Sequence, residues 1–532
     1  MVASAHPLAS VAGLRVLAAG GNAVDAAVAA ALTDAVVLPA MCGLGGDLFA
    51  IVSRPRSSAG GGELLAFMGS GIAPRGTSID FMREHGDDGG ACMPQRGPLS
   101  VAVPGFVDGC FALLERFGTR PFSELAEPAI GYAADGFPLS PLGALDIADS
   151  APLLGQHPTS AAVFLPGGAA PKPGAMLRQP DLARTLDQIA RGGRRVFYEG
   201  DIAARIGRFM AANGGVLAAD DFADHATDVA PPLATTYRGY TVYETDLPTQ
   251  GFLVLEALNI VENADIARLG TSSAAGIHVM AEAMKLAFAD RLAYAGDPRH
   301  IDAPLSALTA KSWAAARYGQ IDPARACDEV AAGALRPGDT TSLCVVDGDG
   351  LMVSLIISLS GGFGSGVVAG DTGIVLNNRA GNCFSLVEGH PNIFAPGKKT
   401  MHTLNCYLIA DAAGNPVLVG GTPGGDFQPQ WNLQIITGLI DAGLDVQAAI
   451  EQPRWMVWPG TYPKDIGKPF ELRVEDRLGD GVEEALERRG HRLVRVGPWA
   501  ADGYAQVIAC EPETGVLVAG SDPRGEGLPI GL

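Results

Sequence analysis

Two adjacent hydroxyl side chains, Thr340 and Thr341, sit in the stretch 337-PGDTTSLCVVDGDG-350, between a Pro-Gly-Asp turn and an apolar run. A threonine hydroxyl is a weak nucleophile unless a base stands beside it. One solution makes the threonine the first residue of a chain, so that its own α-amine takes up the proton. An α-amine with a reference pKa of about 7.7–8.0 is partly neutral near pH 7 and suits general-base work. The β-branch restricts χ1 and keeps the hydroxyl aimed. Such chemistry requires a cut between Asp339 and Thr340. Taken alone, Asp-Thr-Thr after Pro-Gly is equally ordinary turn-to-strand sequence, so the surrounding elements must decide.

Those elements alternate in type. Apolar spacing from Leu8 to Ala19 predicts a helix stopped by Gly20-Gly21, and Asn22 can cap a second helix, 23-AVDAAVAAALTDAVV-37. Further helices are expected over 275-AGIHVMAEAMKLAFADRLAYAG-296 and 431-WNLQIITGLIDAGL-444, and the chain between Pro298 and Asp339 reads as turn-rich, exposed and open to cleavage. After it come two hairpins: TTSLCVVD with LMVSLIISL across DGDG, and 404-LNCYLIA-410 with 416-PVLVGG-421 across DAAGN. Interleaved strands and helices predict a layered α/β fold. The stretch 42-CGLGGDLFAIVS-53 has the glycines of a dinucleotide loop, but they precede the strand instead of following one, so a nucleotide-binding reading is weak.

The bulk numbers exclude several classes. A chain of 532 residues has length for about three to four domain equivalents or for one large α/β domain with insertions. Its net charge of −20 repels phosphate backbones and anionic lipid, so neither nucleic acid nor a membrane is an expected partner. The 8 cysteines are scattered singly and the 9 histidines form no H-E-x-x-H, so no metal or other cofactor is expected. No secretory leader or membrane span is read from the sequence, and reduced thiols point to a cytoplasmic protein.

Taken together, the Thr340 junction and 363-FGSGVVAGDTGIVLNN-378 resemble the γ-glutamyltransferase family of self-cleaving N-terminal-nucleophile (Ntn) hydrolases. Dispersed, ordered matches extend the resemblance over nearly the whole chain: 20-GGNAVDAAVAAAL-32, 103-VPGFVDG-109, 248-PTQG-251, 290-DRLAYAGDP-298, 422-TPGGD-426, 452-QPRW-455 and 521-SDPRG-525. The resemblance implies a four-layer αββα sandwich. It also implies that Thr340 attacks the Asp339 carbonyl, giving a large fragment 1–339 and a small fragment 340–532 that begins with Thr340. The two would remain together as a heterodimer, with pairing of two heterodimers left open. Gly424 and Gly425 would supply oxyanion N–H groups, and Thr341 would orient the nucleophile.

The donor pocket departs from glutathione-type members. Met68 falls where an arginine is expected, with the register open by a residue or two. Asn382 replaces an aspartate, His402-Thr403 replaces paired serines, and Ser360 replaces an asparagine. A neutral amide at 382 loses most of the attraction for an ammonium. The altered motifs are similar instead to oxamate amidohydrolases and related acylases. Arg379 enters close to the lost acid and could take a small carboxylate bidentately; a purely structural arginine is the competing reading. His402 is expected to donate to the oxyanion or touch the acyl group, or else to be a structural histidine. Ser358, Gln428 and Gln430 complete the expected lining. The leading expectation is hydrolysis of a small, carboxylate-bearing amide such as oxamate. The alternatives are a γ-glutamyl hydrolase or transpeptidase, an acylase or carbon–carbon hydrolase acting beside an oxalyl carbonyl, and an unprocessed binding protein.

Overall fold

Side-chain alternation along the strands assigns them to two separate cores. On the Thr341–Val346 strand, Leu343 and Val345 join one apolar cluster while Cys344 and Val346 join another. The Asp47–Arg54 strand divides in the same way, with Leu48, Ala50 and Val52 on one side and Phe49 and Ile51 on the other. A strand buried on both faces needs cover on both. The computed structural model, which describes residues 1–56, 61–327, 340–463, 468–501 and 503–532, supplies that cover as four layers.

The first sheet has 7 strands in the order Leu528–Ile530, Val2–Ser4, Thr341–Val346, Met352–Ser358, Asp47–Arg54, Glu63–Gly69 and Asp228–Ala230. Its 6-stranded partner runs Leu517–Ser521, Gln506–Cys510, Pro416–Gly421, Tyr407–Ala410, Tyr240–Glu244 and Leu233–Tyr237. Neighbouring strands in both sheets are antiparallel. Between the sheets lies an apolar seam that includes Phe49, Met68, Ile356, Leu404, Cys406 and Ile508.

Helices close the outer faces. Pro7–Ala18 and Ala23–Val37 form the expected pair, and Asn22 caps the second in a reciprocal box with Asp25. The Ala-rich second helix is buried along its whole length, which small side chains permit. Gly251–Val261, Ala274–Tyr294 and Gln428–Ile440 cover the second sheet. The last of these begins three residues before the apolar periodicity does, because Pro429 is preset for a helical first turn. Part of the turn-rich stretch also proves helical: Lys311–Tyr318 docks through Trp313, whose Nε1 donates to Glu256 Oε1 at 3.0 Å. The glycines before the Asp47–Arg54 strand serve close packing, since a Cβ on Gly45 would collide with the Val375 carbonyl. The expected cut at Asp339 lies outside the described residues.

Candidate active site

Strand register builds one wall of the site. Ser358 pairs with Asp47, and Ile357 pairs with Thr341, so Thr340, Ser358 and Asp47 form a row across one end of the first sheet, on the face turned to the second. The buried Thr340 hydroxyl donates to Ser358 Oγ at 3.1 Å. Ser358 Oγ also accepts from the Ser360 N–H at 2.8 Å, and Asn382 Nδ2 donates to Ser360 Oγ at 3.1 Å. Ser360 holds this place with φ of 85°, an uncommon conformation for a non-glycine residue. Alternation turns Thr341 the other way, alongside Leu343 and Val345 toward the helices. Its hydroxyl is buried with no hydrogen-bond partner among the described residues.

The facing wall comes from loops of the second sheet and from the short helix Arg379–Cys383. Arg379 Nε donates to Asp47 Oδ2 at 3.0 Å and Nη1 to Thr403 Oγ1 at 3.3 Å, while Nη2 is buried without a partner among the described residues. Asp47 on Nε closes that side of the fork to a second carboxylate. Nη2, which carries two N–H groups, remains. His402 Nε2 lies 3.1 Å from the same Asp47 oxygen, and its ring centroid is 4.6 Å from that of Phe49. Burial, reinforced by the Arg379 guanidinium, lowers His402 to about 4. The imidazole is thus neutral at pH 7. With its proton on Nε2 toward Asp47, Nδ1 carries a lone pair, and an acceptor there cannot donate to an oxyanion. Burial alone raises the Asp47 carboxyl, but His402 and Arg379 outweigh it and its pKa falls below the ordinary carboxylate range. Asp47 Oδ1 and His402 Nδ1 are both buried without partners among the described residues.

A second buried network positions the glycine loop. Arg291 Nη1 donates to Asp426 Oδ1 at 2.5 Å and to Gln250 Oε1 at 2.7 Å, and Nη2 donates to the His402 carbonyl at 3.2 Å. Gln250 Nε2 donates in turn to the carbonyls of Thr403 and Gly425. Asp426 Oδ2 accepts from the Thr461 hydroxyl at 2.8 Å. The loop carrying Gly424 and Gly425 is thereby tied to the segment carrying His402 and Thr403. Gly424 has φ of 126°, and a Cβ there would enter the Trp431 ring, so only glycine fits.

The remaining expected residues divide. Gln428 Oε1 accepts from the Asn405 N–H at 3.2 Å, one residue from the Thr403–Leu404 segment. Gln430 instead holds the Trp455–Trp458 strand, accepting from the Val457 N–H at 2.7 Å and donating to its carbonyl at 3.1 Å. Met68 pairs with Phe49 inside the apolar seam, and it is the Phe49 ring that packs against His402. Ser70, two residues further and on the same face, has a buried hydroxyl without a partner among the described residues. Sequence reasoning gave no role to Asp47, Gln250, Arg291 or Asp426. The last three lie inside motifs that carry the family resemblance, and Asp47, a lone acid opening an apolar strand, carried a signal that the glycines before it obscured.

Two stacked sheets between helical layers, with a threonine at the start of an inner strand, define an Ntn-type α/β hydrolase. Residues 9–532 match the family model for gamma-glutamyltranspeptidase, and the chain belongs to that family. The glutathione hydrolase-like YwrD proenzyme of Bacillus subtilis is 40% identical over 541 residues, covering 100% of this chain and 98% of the relative. The oxamate amidohydrolase proenzyme of Klebsiella pneumoniae is 36% identical over 538 residues, covering 100% and 98%. Among solved structures, the cephalosporin acylase from Bacillus halodurans superposes with a TM-score of 0.90 at 35% identity, covering 99% of this chain and 94% of that one. The protein is thus a hydrolase of this family acting on amide bonds, and it follows the proenzyme pattern of its relatives. No helix among the described residues is long and apolar enough to cross a membrane.

Proposed function

We propose that the chain is cut between Asp339 and Thr340 and that Thr340 then hydrolyses a small amide whose acyl part carries a carboxylate, with oxamate as the first candidate. The Thr340 hydroxyl attacks the amide carbonyl while its new α-amine takes the hydroxyl proton and passes it to the leaving ammonia. Water then hydrolyses the ester and regenerates the threonine. N–H groups of Gly424 and Gly425 would face the oxyanion, a contribution worth about 2.7–4 kcal/mol per donor in comparable sites.

The observation that carries the substrate reading is the unsatisfied guanidinium nitrogen Arg379 Nη2, on a residue joined through Asp47 Oδ2 to His402, with two unsatisfied acceptors, Asp47 Oδ1 and His402 Nδ1, in the same linked group. Buried polar atoms demand partners. A ligand presenting one carboxylate oxygen and N–H donors answers all three.

A second reading has support from the same atoms: a guanidinium beside a carboxylate also suits the zwitterionic end of a γ-glutamyl donor. Two assays separate them. Ammonia and oxalate released from oxamate, without p-nitroaniline from γ-glutamyl-p-nitroanilide, supports the first, and the reverse pattern replaces it with the second. Cleavage is checked apart from both. N-terminal sequencing of the smaller fragment should begin at Thr340, and Thr340→Ala should stay intact and inactive; active protein with only its original start overturns the nucleophile assignment.

A further inference from the structure

A cluster remote in sequence from the Thr340 chemistry contains two imidazoles and a carboxylate. His278 and Glu282 stand four residues apart on the Ala274–Tyr294 helix, which places them on one face. His491 reaches them from just beyond the Val482–Arg488 helix. All three are buried, with one candidate ligand atom from each within 4.8 Å of the others. His278 Nδ1 and His491 Nε2 are 2.8 Å apart, and His278 Nε2 is 2.8 Å from the Asp322 carbonyl. A carbonyl can only accept, so it fixes the His278 proton on Nε2 and leaves a lone pair on Nδ1. Metal-bound imidazoles are commonly held in this way. His491 at present donates from Nε2, and moving that proton to its Nδ1 exposes a second lone pair. Beside His491 lies a cavity of about 30 Å³, bordered by Lys285, Cys327 and Phe470, with room for about one water.

We propose that His278, Glu282 and His491 form a three-ligand site for a divalent transition metal of the zinc type, with a water in the fourth position. Two nitrogens and one carboxylate oxygen match that preference. Bonds of about 2.0–2.1 Å in a tetrahedron put ligands roughly 3.3 Å apart, so the two ring nitrogens, now 2.8 Å apart, must open slightly. Lys285 opposes the ion. Its ammonium donates to Glu282 Oε1 and to the Cys327 carbonyl, each at 2.8 Å, and it lies 4.9 Å from the Phe470 ring. Releasing Glu282 leaves it the other two partners, so it competes with the metal without blocking it. His278 and His491 are 213 residues apart in the chain and fall on opposite sides of the proposed cut. If that cut occurs, a bound ion ties the two fragments together; the site itself does not depend on the cut.

The test uses metal-free full-length protein, both wild type and the uncut Thr340→Ala chain, so a failure of processing is seen on a gel and not in the binding curve. Zn²⁺ titrated calorimetrically should bind one per chain, and Co²⁺ should give the visible absorption of a low-coordinate nitrogen and oxygen site. Glu282→Gln and His491→Ala should each weaken binding by about 10–100-fold or more, while Lys285→Gln, which removes the competing charge, should tighten it. Equal binding in wild type and Glu282→Gln, or no effect of Lys285→Gln, overturns the proposal. Glu282→Gln preserves the shape of the side chain, so its binding curve decides the matter even if His491→Ala does not fold.

Discussion

Arg379 is a buried charge that is paired and still has one nitrogen to spare. Nε holds Asp47 and Nη1 holds Thr403, so Nη2 is offered to a ligand from a guanidinium already fixed in place. A lysine has a point charge and no planar fork, and it cannot meet Asp47, Thr403 and a substrate oxygen at once. Arg379→Lys should therefore lower kcat/KM on the favoured carboxylate-bearing amide by about 10–100-fold, the value of one charge-assisted hydrogen bond, chiefly through KM. Steady-state kinetics on the two substrate types checks this, and an unchanged KM would remove Arg379 from the ligand site. Arg379→Met is the poorer probe, because stranding Asp47 as an uncompensated buried charge costs about 3–5 kcal/mol of stability. His402 makes a different prediction. Its pKa is near 4 in the folded protein against an ordinary value of 6.5. Between those pH values the unfolded chain binds a proton that the native one refuses, so this residue makes stability rise with pH across the window, by about 3 kcal/mol in all. His402→Gln should accordingly show a shallower loss of melting temperature from pH 6.5 to 4 than the wild type.

At the scale of elements, the site is the place where three strand ends converge with loops and a short helix, and sequence reading reached these parts unequally. Two apolar runs either side of the DGDG turn made the Thr341–Val346 and Met352–Ser358 hairpin legible, and the Asn22 cap did the same for the Ala23–Val37 helix. Motif resemblance reached Thr340, Arg379, His402 and the Gly424-Gly425 pair. Sequence reasoning could not reach pairing between distant segments. Asp47 meets Ser358 only through strand register, and Gln250 meets Gly425 only because a helix start and a glycine loop pack together. Such contacts have no local periodicity to betray them. They also have consequences, since Gln250 and Arg291 hold the glycine loop from the opposite side of the proposed cut. Gln250→Met keeps the size of the side chain and removes both carbonyl contacts. It should cost about 1–3 kcal/mol of stability and lower kcat by at least tenfold, with KM changed less. Rates are to be expressed per titrated nucleophile, because mere loosening of the fold reduces the count of active sites without slowing each one.

For the molecule as a whole, the buried titratable groups sort into two opposing sets. His6 and His225, each near 4, and His491 near 3 are held neutral by burial like His402, and all of them destabilise the native state as pH falls below about 6.5. Asp34 belongs to the other set. It sits in the last turns of the Ala23–Val37 helix, accepts a 2.7 Å hydrogen bond from Ser4 Oγ, and has its second oxygen buried without a partner among the described residues. Burial raises its carboxyl to about 8, against the lesser lowering from Ser4. A raised folded pKa means that the native state binds a proton the unfolded chain has lost above about pH 3.8, so the contribution of Asp34 declines steadily as pH climbs to 8. Glu244 and Glu256, also raised chiefly by burial, act in the same direction. From pH 6.5 to 8 the histidines are neutral in both states and the raised carboxyls remain in control. Asp34 alone then contributes a fall of about 2 kcal/mol. Asp34→Asn keeps the oxygen that Ser4 needs and abolishes the titration. Its stability relative to wild type should therefore improve with each step from pH 6.5 to 8 in urea-unfolding experiments. A difference between the two proteins that stays constant over that range would show that Asp34 ionises freely and that the helix layer accommodates its charge.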